Sequence, residues 1–234
     1  MNFKQVIKKY GYPVISKESS NRIYKLNNYN LSEKYRNKIL HGDERGSFGK
    51  LADKWHYLLN ADFNISDKCC DIMKKKPFHK YEKETKRCAI TGEMACESRS
   101  REKLYLQYGC NAFERKTGPK STPLGFWTEQ DILEYLKVNN IPIAECYGDI
   151  ITYKTINGKE YYTTTKEKRT GCMFCAYGIH LEKDINRFQR MKIKHPQIYK
   201  YCIDGGAYDK NGKWIPSNDG LGLGHVLDEI NIKY

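Results

Sequence analysis

The sequence predicts an α+β protein, mainly helical, in a single domain over residues 1–234, and three observations carry that prediction. Apolar residues recur at helical spacing along much of the chain. An Asn157-Gly158 pair interrupts the alternation of residues 150–165, the strongest short-range signal for a β-hairpin. Two close cysteine pairs, Cys69-Cys70 and Cys172-x-x-Cys175, stand about a hundred residues apart, and two such clips brought together by a fold can supply four sulfurs to zinc or an iron–sulfur centre. The plainer reading treats those cysteines as small buried hydrophobes.

The elements follow in order. The amino-terminal part, residues 1–60, reads as helical. Tyr10-Gly11-Tyr12-Pro13 breaks its opening helix before a short extended Val14-Ile15-Ser16, and Leu51, Trp55, Leu58 and Leu59 fall at helix spacing. Ser66 is a fitting N-cap for a helix that carries Cys69 and Cys70 in its first turns and stops at Pro77. The positive end of that helix would favour thiolates. Residues 87–91 read as a short strand and 97–108 as a helix closed by Gly109. Thr128 caps the clearest helix in the chain, with Asp131 at its third position and Trp127 placed to pack on Ile132. The hairpin of residues 149–168 reads as an insertion between a core at 61–148 and a carboxy-terminal part at 169–234. In that last part, 185–194 and 196–202 read as two helices joined at Pro196 and 226–230 as a final short one.

With 234 residues, 39% hydrophobic and 13% aromatic, the chain can bury one sizeable core, which argues against disorder. It has no apolar run of membrane-spanning length and no signal-peptide pattern at Met1-Asn2-Phe3-Lys4, so the expectation is a soluble cytoplasmic protein with no membrane partner. Nine cysteines in such a chain point to metal binding or thiol chemistry rather than a disulfide framework. The net charge of +13 attracts polyanions: nucleic acid, or nucleotide and sulfate-like substrates. A solvated basic surface explains the charge equally well. The densest run, Lys74, Lys75, Lys76, His79, Lys80, Lys83, Lys86 and Arg87, directly follows the first cysteine pair.

Other conspicuous residues have ordinary readings beside the functional ones. His79 and His180 lie near the clips as possible ligands or proton donors, although such histidines are commonly structural. Glu93 and Glu97 could act as acid and base, or simply favour a helix start. Gly222-Leu223-Gly224 lacks the strand and third glycine of a dinucleotide fingerprint and reads as a turn.

Five blocks together resemble the phosphoadenosine phosphosulfate (PAPS) and adenylyl sulfate reductase family. They are Cys69-Cys70 followed by lysines and Pro77; Ile90-Thr91-Gly92 with Ser98 and Arg101; Pro123-Leu124-Gly125-Phe126-Trp127-Thr128 leading into Asp131-Ile132; Ile141-Pro142 with Tyr147; and Gly171-Cys172-Met173-Phe174-Cys175. Their order and spacing match from about residue 60 to 178. The resemblance implies a remnant of an adenine-nucleotide alpha-hydrolase-like α/β fold. It also implies a 4Fe-4S cluster on Cys69, Cys70, Cys172 and Cys175, with zinc as the alternative metal. A quartet of Cys110, Cys172, Cys175 and Cys202 is the alternative ligand set. Lys74, Lys75, Lys76, Ser98, Arg99 and Arg101 are the candidate anion and substrate contacts.

Three departures qualify what the resemblance implies. The family's Ser-Gly-Gly-Lys-Asp-Ser phosphate loop has no counterpart in the sequence, so the nucleotide-binding half is expected to be absent or supplied by a partner bearing that loop. The isolated chain is then expected to bind nucleotides weakly and be inactive, and an uncovered face would call for a partner or self-association. The two arginines that family members place after the Thr-Gly turn are Met94 and Ala95 here. No cysteine follows Cys202, so the family's reactive carboxy-terminal thiol is missing. Two functions stay open: sulfur transfer or reduction on an activated sulfonucleotide, as an oxidoreductase or sulfurtransferase, and a non-catalytic nucleic-acid- or protein-binding module, including a DNA phosphorothioation-like role.

Overall fold

The computed structural model describes residues 1–46, 49–115, 118–168 and 170–234. In chain order, α1 (Phe3–Tyr10), β1 (Val14–Ile15), α2 (Lys17–Asn28) and α3 (Glu33–His41) are followed by a 3-10 helix at Asp53–Asn60. Next come α4 (Lys68–Cys70), a π-helical turn at Asp71–Lys75 and α5 (Lys76–Thr85). Then follow β2 (Ala89–Ile90), α6 (Arg99–Tyr108), β3 (Asn111–Ala112), β4 (Lys120–Ser121), α7 (Glu129–Val138), β5 (Ile150–Lys154) and β6 (Glu160–Thr164). The chain closes with β7 (Ala176–Tyr177), α8 (Arg187–Lys194), α9 (Pro196–Ile203), β8 (Gly206–Tyr208), β9 (Trp214–Pro216) and α10 (Leu223–Glu229). Where the sequence is read as one domain over 1–234, the chain divides into two compact units, Met1–Phe78 with Cys172–Tyr234, and His79–Gly171.

The first unit is built on a short, mostly parallel ribbon. β1 pairs in parallel with β7, Val14 opposite Ala176. Parallel bridges join Tyr12 to Ile65 and Phe63 to Trp214, and β8 pairs antiparallel with β9. Tyr12, Val14, Ile15, Phe63, Ile65, Phe188, Leu221 and Leu227 are buried in one core around this ribbon. α1 starts at an Asn2–Gln5 capping box and ends at Gly11, whose φ of 106° only glycine adopts easily. A Cβ on Gly11 would lie 2.2 Å from the Asn64 carbonyl oxygen, so this glycine also lets β1 approach the segment that leads to Cys69.

Three local expectations need correction. Leu51, Trp55, Leu58 and Leu59 belong to a 3-10 helix and its lead-in, not an α-helix, although Leu51 and Leu58 are buried as their spacing suggests. Ser66 is not the cap of α4; it is fully buried, and its Oγ accepts the Lys68 amide at 3.0 Å from one position upstream of the capping residue. Pro77 does not stop the helix. The π-helical turn shifts the hydrogen-bond register just before it, so Pro77 falls in the first turn of α5, where a missing N–H costs little.

The second unit contains a three-stranded sheet in the order β2-β4-β3, helices α6 and α7, and the β5–β6 hairpin. The hairpin forms as predicted, with Gly158 at φ 75° and Ile151 opposite Thr163. α7 has the predicted Thr128–Asp131 capping box, and Ser98 caps α6 by accepting the Arg101 amide. Among the described residues of this unit, Ala112 is the one buried apolar side chain. No helix among the described residues is long and apolar enough to cross a membrane.

Candidate metal centre

Both cysteine clips lie in the first unit. The ribbon sets their positions: residues 63–65 run beside β1 and lead to α4 with Cys69 and Cys70, while β7, on β1's other side, begins directly after Cys175. The Tyr177 hydroxyl donates to the Ser66 carbonyl at 3.3 Å, tying the start of one clip to the end of the other. Cys172 and Cys175 form a tight turn, the Cys175 amide donating to the Cys172 carbonyl at 3.1 Å. Arg187 Nη1 holds the Cys175 carbonyl at 3.0 Å and pairs with Glu182.

The thiols sense one another. The neighbouring Cys70 thiol, followed by burial, raises the Cys69 thiol. Cys69 in turn lowers Cys70 to about 6; burial opposes the shift, and the positive charges of Lys17 and Lys74 support it. Burial raises Cys175, with Cys172 and Cys70 adding to the effect. Lys74 is raised chiefly by Cys172, and Cys70 and Cys175 add to that. Tyr177 is raised by burial and then by Cys69. The four sulfurs therefore share one electrostatic neighbourhood, held between Lys17, Lys74 and Arg187.

Among the described residues, no group of three or more His, Cys, Asp or Glu side chains is placed to hold a metal ion. By its chemistry alone an all-thiol donor set suits zinc or an iron–sulfur cluster. Of the alternative quartet, Cys110 lies in the second unit and Cys202 is fully buried in α9, where burial pushes its thiol up to about 12.

The candidate anion contacts divide between the units. Lys74 faces Cys172, Lys75 is exposed and Lys76 lies 3.8 Å from Asp71, all in the first unit. In the second, Ser98 is engaged as a helix cap, Arg99 is exposed and Arg101 is paired with Glu97. The ordinary readings hold for the remaining residues. His79 pairs with Glu82 on the surface, and Glu93 binds Lys120 at 2.6 Å. His180 packs its ring 5.4 Å from Trp55, and burial and Lys54 both lower its pKa. Gly222 is a left-handed turn before α10.

One feature escaped the sequence reading. Ile15 has φ 62°, an outlier for a β-branched residue, immediately before Ser16 caps α2 by accepting the Ser19 amide. Ser20 Oγ donates back to the Val14 carbonyl at 2.7 Å. This is a strand–turn–helix junction carrying Ser16-Lys17-Glu18-Ser19, with Lys17 acting on Cys70. A search for glycines passes over it, because here a strained isoleucine makes the turn. A short extended segment followed at once by a serine cap was the available signal.

The model of the phosphoadenosine phosphosulfate reductase domain matches residues 18–176, more than half of the chain, and reaches well upstream of the five sequence blocks. The fold is of mixed helix and strand content, and the chain belongs to the PAPS reductase domain family. Comparison with curated proteins found no match, and comparison with solved structures found none either.

Proposed function

We propose that this member of the PAPS reductase family binds a 4Fe-4S cluster through Cys69, Cys70, Cys172 and Cys175 and acts in the reduction of, or sulfur transfer from, an activated sulfonucleotide. The observation that supports the reading is the placement of both cysteine clips beside the β1–β7 pairing in one unit, with Cys70 lowered by Cys69 and Lys74 raised by Cys172. A bound cluster supplies electron-rich sulfur and a redox-tunable charge. Lys17, Lys74 and Arg187 would offset its negative charge, and the half-buried Tyr177 with the buried Ser66 would hold the two clips in register. The α2 amino terminus beside Ser16 offers backbone amides to a phosphate, as such termini do.

Activity is tested by incubating anaerobically prepared, cluster-loaded protein with labelled PAPS or adenylyl sulfate and a dithiol, and following sulfite. Release of sulfite with matching formation of the nucleotide product and the disulfide supports reduction. Intact cluster with no sulfur leaving either nucleotide, even with cell extract present, would move the reading to a binding module.

That second reading draws on α5 and its flanks, where Lys74, Lys75, Lys76, Lys80 and Lys83 stand on an exposed helix with no buried residue, suited to a polyanion. A protein partner or self-association is supported by the second unit, which exposes Ile90, Leu106, Phe113, Phe126 and Val138 around almost no core.

A further inference from the structure

α7 has two faces, and the fold covers one of them. The Gln130 side chain exchanges hydrogen bonds with the Tyr162 backbone at 3.0 and 2.8 Å, and Lys137 donates to the Ile150 carbonyl, so the β5–β6 hairpin lies along one side of the helix. Trp127, Asp131, Glu134, Tyr135 and Val138 recur at helical spacing along the other. With Phe126 they line a groove of about 610 Å³ that is open to solvent, within the range of roughly 300–1,000 Å³ typical of clefts that hold a ligand. The Trp127 and Tyr135 rings meet edge to face in it at 5.5 Å, and Phe126 and Val138 are 64% and 67% exposed.

Both charges in the groove are negative. The hydrogen bonds of the Thr128 cap lower the Asp131 carboxyl, and Glu134 has no ion-pair partner among the described residues. In a chain of net charge +13 this is an acidic, apolar face, whose complement is a helix that presents aromatic side chains among lysines. The chain itself carries such a helix. α5 has no buried residue, exposes Phe78 and Tyr81 three positions apart on one face, and carries Lys80 and Lys83 beside them. Between Asp71 and Arg87 seven lysines and arginines stand against three carboxylates. Two helices of one chain thus present uncovered aromatic faces of opposite charge.

We propose that the groove on α7 receives α5 of a second copy of this chain, with Phe78 and Tyr81 seated against Trp127 and Tyr135 and with Lys80 and Lys83 facing Asp131 and Glu134. A helix laid in a groove in this way takes its affinity from the apolar anchors and its register from the flanking charges. The contact joins two different surfaces, so exchange in both directions closes a dimer, and a one-way contact builds a longer assembly. The proposal deepens the self-association reading given above by naming its surface, and it is independent of the cluster.

The test is sedimentation velocity of the full chain over a range of concentrations, in reductant and after nuclease treatment, so that neither the exposed cysteines nor bound nucleic acid links the copies. The wild type is expected to assemble as its concentration rises. Glu134→Lys should weaken assembly by about tenfold or more, and so should Lys80→Glu combined with Lys83→Glu, since like charges then face one another. An equimolar mixture of those two variants should recover it, because each pairing of α5 with the groove of the other variant is again between opposite charges. Val138→Ser and Phe78→Ser should weaken assembly at high salt as well as low, because they remove apolar contacts that salt does not screen. Glu102→Lys, an exposed reversal on α6 outside the groove, should assemble as the wild type does. All these positions are exposed, so the variants keep the fold, which circular dichroism checks. A chain that is monomeric at every concentration, assembly that neither set of reversals weakens, equal loss in Glu102→Lys, or a mixture that assembles no better than its components would each overturn the proposal. Iron content measured on the same samples keeps the two readings apart: colourless protein that shows the charge exchange loses the cluster and retains the interface.

Discussion

Cys172 is the largest influence raising Lys74, so a lysine of the helical run that begins at the first cysteine clip is electrostatically coupled to the second. The π-helical turn at Asp71–Lys75 contains this lysine. Inserted π-turns recur where a helix must re-aim a side chain for function. Exchanging Lys74 for Met should preserve the fold and weaken metal retention by about ten- to a hundredfold, the usual effect of removing a partner of a metal ligand. Metal content after challenge with graded chelator reads the effect, and retention equal to wild type would make Lys74 a bystander.

The two clips are expected to be unequal in what they support. Cys175 directly precedes β7 and its carbonyl is held by Arg187, whereas Cys172 is exposed. Cys175→Ser should lose metal and lower the melting temperature more than Cys172→Ser, because metal binding is partly folding free energy and the half-buried position adds packing that exposed Cys172 lacks. Two variants that both keep full metal and full melting temperature would remove the Cys-x-x-Cys pair from the site.

Gly11→Ala tests the ribbon that positions the clips. Its Cβ would meet Asn64 at 2.2 Å and its φ is 106°, so the segment leading to Cys69 must move. A loss of more than about 2 kcal/mol is expected by denaturant titration. A variant as stable as the wild type would show that β1 and residues 63–65 need not lie so close.

The carboxylate of Asp62 receives hydrogen bonds from His225 at 2.9 Å and Tyr208 at 2.7 Å. Burial pushes this carboxyl up, but those bonds and the His225 charge outweigh it and hold it below the ordinary range. A depressed folded value means that its stabilising contribution is present above the unfolded value of about 3.9 and is lost as the pH falls through the lower folded value. Wild type should therefore melt above Asp62→Asn at about pH 5, with the gap closing toward about pH 3. A gap of constant size across that window would contradict the assignment.

Much of this fold was legible in the sequence because the signals were local. Asn157-Gly158, Thr128 with Asp131, and Gly109 after α6 each mark an element through its own turn or cap chemistry, and each element stands where it was read. That both cysteine clips fall in one unit was suggested by their pairing in the sequence. Three things were not. The parallel pairing of β1 with β7 joins residues far apart in the chain, and strands of two residues have no period to detect. The π-turn before Pro77 hid behind a residue that normally ends helices. The groove on α7 depends on the hairpin covering one side of that helix and not the other, a tertiary arrangement with no sequence motif.

The basic run offers a separate check. Changing Lys74, Lys75 and Lys76 together to Ser should reduce DNA or RNA affinity and flatten its salt dependence, because each neutralised phosphate releases counterions. Anisotropy at two salt concentrations measures both. An unchanged slope would return these lysines to an ordinary solvated face.

The most direct measurement is iron and acid-labile sulfide per chain, with the visible spectrum, on protein prepared without oxygen. The account predicts brown protein with broad absorption near ~400 nm and iron and sulfide in equal amounts, lost together when Cys69, Cys70, Cys172 or Cys175 is replaced. Colourless protein carrying one stoichiometric zinc, or no metal at all after anaerobic reconstitution, would contradict it.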